Sequence, residues 1–82
     1  MNIEMMGFGD QFNLKDAYDL LNCHVVKIEL KDKKNHDISE IGFVAGIITL
    51  NDEIEVMIKF SQELLQLNKT DFYNKISLLE MA

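Results

Sequence analysis

Three groups of reactive side chains lie close enough along this sequence to suggest chemistry. Cys23 and His24 are neighbours and have the residue types of a thiolate–imidazole pair. The alternating pattern around them is that of a strand, which sends adjacent side chains to opposite faces. The base then cannot reach the nucleophile, and the pair reads as a small buried or rim cysteine beside a histidine at a helix–strand junction. His36, Asp37 and Asp32 carry metal-ligating atoms, but they fall in KDKKNHD, residues 31–37, a polar loop crowded with mutually repelling lysines. Metal ligation needs three or four ligands converging from fixed elements with a second shell to orient them. Asp52, Glu53 and Glu55 suggest an acid–base pair. Glu53 and Glu55 share one strand face about 7 Å apart, but that face is the polar one, and nothing in the pattern buries them to shift a pKa.

The GFG at residues 7–9 lacks the further glycine, lysine and serine of a phosphate loop and the strand that would precede it. No serine stands in a nucleophile-elbow context. The sequence therefore assigns no catalytic residue, no cofactor and no metal. With 82 residues and few convergent polar groups it leaves little room for an enclosed pocket, so the chain reads as a non-enzyme.

Charge and composition narrow the classes further. Fourteen acids against eight bases give a net charge of −6, and all eight bases are lysine. Arginine supplies the planar fork that reads phosphate and guanine edges, so its absence, with the acidic balance, argues against direct nucleic-acid binding. The single cysteine, Cys23, can build neither an internal disulfide nor, alone, a zinc site, which points to a reducing compartment and a cytoplasmic protein. No apolar run approaches the roughly 18 residues of a membrane helix, and an acid stands in MNIEMMGFGD where a signal peptide carries lysines. With 48% hydrophobic and 27% charged residues the composition is that of a globular protein. A chain this short buries only about 60–65% of its unfolded surface, so residues 1–82 form one small domain. Absence of proline and only four glycines leave no visible linker or repeat.

The elements that must position these residues follow from periodicity. Residues 1–12 mix Met1, Ile3, Met5, Met6, Phe8 and Phe12 with Gly7 and Gly9. They read as a flexible, partly extended arm, either folded over its own core or presenting an adaptable methionine patch. Asn13 is an N-cap candidate for a helix over 14–22, with Leu14, Ala17, Tyr18 and Leu21 on its buried face. A three-stranded antiparallel meander follows at about 23–32, 41–50 and 53–60. In the middle strand Ile41, Phe43, Ala45 and Ile47 line one face and Val44, Ile48 and Leu50 the other, so that strand reads as buried on both sides. Gly42 and Gly46 suggest either a close helix contact or a bulge. Asn51 and Asp52 are turn residues able to take positive φ. Ser61 and Thr70 are cap candidates for helical segments within 62–80, with Leu65, Phe72, Ile76 and Leu79 as the buried stripe. The alternation around Ile76 and Leu78 allows a strand instead, so 71–82 stays open between helix and strand.

The fold class is therefore α+β, a meander with an N-terminal and a C-terminal helical element. With a final strand in place of the last helix, the element order from Leu14 to Phe60 is similar to that of small Sm-like or SH3-like barrels. The loop glycines and basic tips of RNA-binding Sm proteins are absent.

Two functions fit these residues. The first is a small acidic protein–protein interaction module, regulatory, binding another protein or a second copy of itself as a dimer. Its partner surface would be formed by Met5, Met6 and Phe8 of the arm and Glu53, Glu55 and Met57 of the third strand. The alternative is an acidic inhibitor or nucleic-acid-mimicking decoy, of the phage or mobile-element type, that covers the basic groove of an enzyme. One contiguous acidic face containing Asp52, Glu53, Glu55 and Glu63 would favour the decoy, and acids scattered among lysines would favour the module.

Overall fold

A computed structural model describes residues 11–79. The elements run α1 (Leu14–Leu20), β1 (His24–Lys27), a 3-10 turn at Ile28–Leu30, a second at Ile38–Glu40, β2 (Gly42–Leu50), β3 (Glu53–Phe60), β4 (Glu63–Leu67), α2 (Lys69–Lys75) and β5 (Ile76–Leu78). The strands form one antiparallel sheet in the order β4-β3-β2-β1-β5. β4 and β5 occupy its two edges and no ladder joins them among the described residues, so the sheet is not a closed barrel and that expectation is corrected.

Local chemistry accounts for most boundaries. The Asn13 side chain accepts from the Asp16 amide at 2.8 Å and caps α1, as its position in the sequence predicts. The helix ends at Leu20, short of the expected 22, because Asn22 takes the left-handed conformation with φ 69° and donates its amide to the Val44 carbonyl. Its buried residues are Ala17 and Leu20, while Leu14 and Tyr18 of the predicted stripe face solvent. Asn51 and Asp52 both have positive φ, the primed geometry that matches strand twist, and they join β2 to β3 in a two-residue hairpin.

Three expectations are corrected at the second level. The first strand stops at Lys27, not near residue 32. Its ladder partner Ile76 is where β5 begins out of α2, and beyond that point the chain turns back on itself through the Lys31 amide to the Ile28 carbonyl. Residues 63–67 form a strand in place of a helix: a turn at Ser61 and Gln62 lays them on β3, where Leu65 and Leu67 pack inward and Leu64 and Gln66 point out. The remaining helix is only Lys69–Lys75, capped by the Asn68 side chain, not Thr70, and the open question at 71–82 resolves, as far as the described residues reach, into helix to Lys75 followed by strand to Leu78, with 80–82 outside them. The sequence ELLQLNKT supports either period, and the hydrogen bonds offered by β3 decide it.

A further correction governs the surface. The register between β2 and β3 shifts between Val44 and Gly46, leaving Ala45 as an extra residue in a bulge. One added residue exchanges the two faces. Val44 and Ile47 therefore share the core side, whereas Phe43, Ile48 and Leu50 lie opposite Lys59, Glu55 and Glu53 on the outer side. β2 is not buried on both faces, since Phe43 and Leu50 stay exposed.

The core joins Val25, Val44, Val56, Ile58, Phe60, Leu67 and Ile76 of the sheet to Ala17 and Leu20 of α1 and Phe72 of α2. Phe12, buried, meets the Phe72 ring edge to face at 5.8 Å and ties the chain ahead of α1 to α2.

Gly42 and Gly46 serve different ends. A β-carbon on Gly42 would meet two Phe60 ring atoms at 2.8 Å and the Lys59 carbonyl at 2.9 Å, whereas one on Gly46 would meet nothing within 4 Å. Gly42→Ala is expected to destabilise the chain by about 1–3 kcal/mol in urea unfolding through overpacking. Gly46→Ala should stay within about 0.5 kcal/mol of the parent.

Candidate functional site

Both helices contribute their buried residues to the inner side of the sheet, and its other side is built from cross-strand rows. Ladder partners place Leu64, Lys59, Phe43 and His24 side by side across β4, β3, β2 and β1, with Gln66, Met57 and Gly46 in the next row, then Glu55 with Ile48, and Glu53 with Leu50 at the hairpin end. Glu53 is exposed and Glu55 and Met57 are half-buried, so three residues of the sequence-derived surface do lie on one face. Met5, Met6 and Phe8 fall outside the described residues. Glu55 accepts a hydrogen bond from the Gln66 side chain at 2.7 Å, which fixes its carboxylate across the β3–β4 pair. Leu50 is 48% exposed opposite Glu53, and Leu64 is 56% exposed opposite Lys59. Sequence reasoning missed Phe43, Ile48, Leu50 and Leu64 as members of this face, and Gly46 was the available signal for the bulge that puts the first three there.

Glu63 does not join Asp52, Glu53 and Glu55 in one contiguous acidic face. Glu63 points to the inner side and pairs with Lys27 at 2.8 Å. It lies beside Phe60, at the far end of β3 from Glu53 and about 23 Å away along the strand. Lys59 stands on the same face as Glu53 and Glu55.

At the Lys59 end the face opens into a groove of about 500 Å³ lined by His24, Ile38, Ile41, Phe43, Lys59 and Phe60, among others. Ile38 is 87% exposed at its rim. The turn carrying it is held by Glu40, whose carboxylate accepts from the Asp37 amide at 3.0 Å and from the Lys33 ammonium at 2.9 Å. The chain before this turn is held by His36, whose ring nitrogen donates to the Leu30 carbonyl at 3.0 Å.

The other sequence candidates are separated. The Cys23 thiol is directed to the Asp19 carbonyl at 3.6 Å, and His24 is exposed on the outer row. Among the described residues no group of three or more His, Cys, Asp or Glu is placed to hold a metal ion, and no helix is long and apolar enough to cross a membrane. Comparison with protein-family models, with curated proteins and with solved structures found no match to this chain.

The Lys33 hydrogen bond, followed by that from the Asp37 amide, lowers the Glu40 pKa, and the hydrogen bond to Glu40 raises that of Lys33. A lowered carboxylate stabilises the fold fully above its unfolded value of about 4.3 and loses that contribution as pH falls through the folded value. A raised lysine contributes fully below about 10.4 and loses it as pH rises through its folded value. An NMR titration should therefore find the Glu40 midpoint below the ordinary carboxylate range, with the Ile38 amide signal moving in the same step. Glu40→Gln should abolish that step.

Proposed function

We propose that this chain is a small acidic, non-enzymatic protein–protein interaction module that presents the outer face of β2, β3 and β4 to a partner. The observation that carries the reading is the composition of that face. Phe43, Leu50 and Leu64 stay exposed on it, interleaved with Glu53, Glu55 and Lys59, while both helices pack on the other side. Exposed apolar groups rimmed by polar ones are the composition of an interface. The outer edge of β4, which no strand pairs among the described residues, lies beside Leu64 and adds backbone donors and acceptors that a partner strand can complete. Met5, Met6 and Phe8, outside the described residues, are further candidates for partner contact in this reading.

The partner is another protein or a second copy of the chain, the role is regulatory, and the setting is cytoplasmic. The scatter of acids supports the module over the electrostatic decoy, since Glu63 is neutralised by Lys27 and lies apart from Glu53 and Glu55.

Affinity capture from the native host, read by mass spectrometry, provides the partner for the test, and light scattering reports the self-associated form. Glu53→Lys with Glu55→Lys, and separately Leu50→Ser with Leu64→Ser, should leave the cooperative unfolding transition in place. Each pair should weaken retention of the partner or dimer by about tenfold, the effect of losing one interface anchor. Unchanged retention in both pairs would make the face only solvated surface.

A further inference from the structure

The groove at the Lys59 end has a charge character opposite to that of the whole chain. Its lining contains Lys59 and His24 and no carboxylate, in a protein with 14 acids and eight bases. Lys15, Lys27 and Lys33 each meet a carboxylate within 3.2 Å, whereas Lys59 makes no ion pair among the described residues. Ladder register sets Lys59 and His24 on either side of Phe43, with about 10 Å between their α-carbons from strand spacing. The Phe60 ring closes the inner wall, and Ile38 stands exposed over the rim on a turn held by Glu40. An apolar pocket beside an unneutralised ammonium is complementary to an apolar side chain with a carboxylate nearby on the same chain.

We propose that this groove docks a short acidic–apolar segment of a partner protein, one apolar side chain entering among Ile38, Phe43 and Phe60 while a carboxylate two residues along the segment pairs with Lys59. The inference rests on the protein-binding reading above and names the chemistry of the partner, using a different end of the face from Glu53 and Glu55. An extended segment sends adjacent side chains to opposite sides and alternate ones to the same side about 7 Å apart, so the carboxylate and the apolar anchor must stand two residues apart to face the groove together.

The test is an NMR titration of the full chain with the end-blocked peptide Ser-Glu-Ser-Phe-Ser-Glu, whose phenylalanine and glutamates share one side when extended, and two controls in which serine or lysine replaces every glutamate. The acidic peptide should give saturable shifts at His24, Ile38, Phe43 and Lys59, and the serine peptide should bind about tenfold more weakly or worse. Lys59→Glu should lose the acidic peptide and gain the lysine peptide, and Ile38→Ser should weaken both while its spectrum stays folded. No shifts, shifts confined to another surface, equal binding of the serine peptide, or concentration-dependent shifts at these residues without peptide would each overturn the proposal. The last outcome would make a second copy the occupant. If the peptides fail while Glu53→Lys with Glu55→Lys still releases a captured partner, the groove assignment falls and the module reading stands.

Discussion

The Phe60 ring lies against the bare α-carbon of Gly42, and the remaining architecture depends on that contact. Gly42 has no room for a side chain there, because the ring atoms and the Lys59 carbonyl already occupy the space a β-carbon would take. The same ring has the Lys27 ammonium 5.5 Å from its centroid, and that ammonium is 2.8 Å from the Glu63 carboxylate. β1 and β4 are separated by two strands in the sheet, so one lysine bridging them across Phe60 requires the sheet to curl. The curl brings the inner side chains into one cluster without closing the edges. The exposed pair contributes little by itself, but it is anchored to a buried aromatic.

The bulge at Ala45 converts this packing problem into a surface. A regular ladder would carry the Phe43, Ala45, Ile47 series along one face of β2, whereas the extra residue returns Val44 and Ile47 to the core and leaves Phe43, Ile48 and Leu50 outside. A chain with a small core thus keeps large apolar side chains, these three with Met57 and Leu64, on the side its helices do not cover. Charged neighbours on β3 keep that side from being a uniform hydrophobic patch and give it polarity along its length, acidic at the hairpin and basic at the groove.

Much of this was legible from residues alone. The Asn13 cap, the Asn51–Asp52 turn and the alternation of Val56, Ile58 and Phe60 are local signals, and each corresponds to the element present. What misled were places where the partner strand decides. Glu63–Leu67 follows either period, and only the edge offered by β3 makes it a strand. Residues 28–32 continue an alternating pattern after β5 has stopped supplying hydrogen bonds. The face assignment of β2 failed by a single residue, since a bulge leaves almost no trace in composition beyond the glycine beside it. Glu53, Glu55 and Met57 were placed on one face correctly because β3 is regular. Their apolar neighbours were invisible until the register was known.

The proposed partner surface rests on Phe43, Leu50 and Leu64, which stay exposed on the side of the sheet opposite the helices. The most direct measurement is hydrogen–deuterium exchange of the chain with and without the partner recovered by native capture, resolved to peptides by mass spectrometry. The account predicts slowed exchange in β2, β3, β4 and the turn at Ile38, with α1 and α2 unchanged. Protection confined to the helices, or none anywhere in a complex that demonstrably forms, would contradict it.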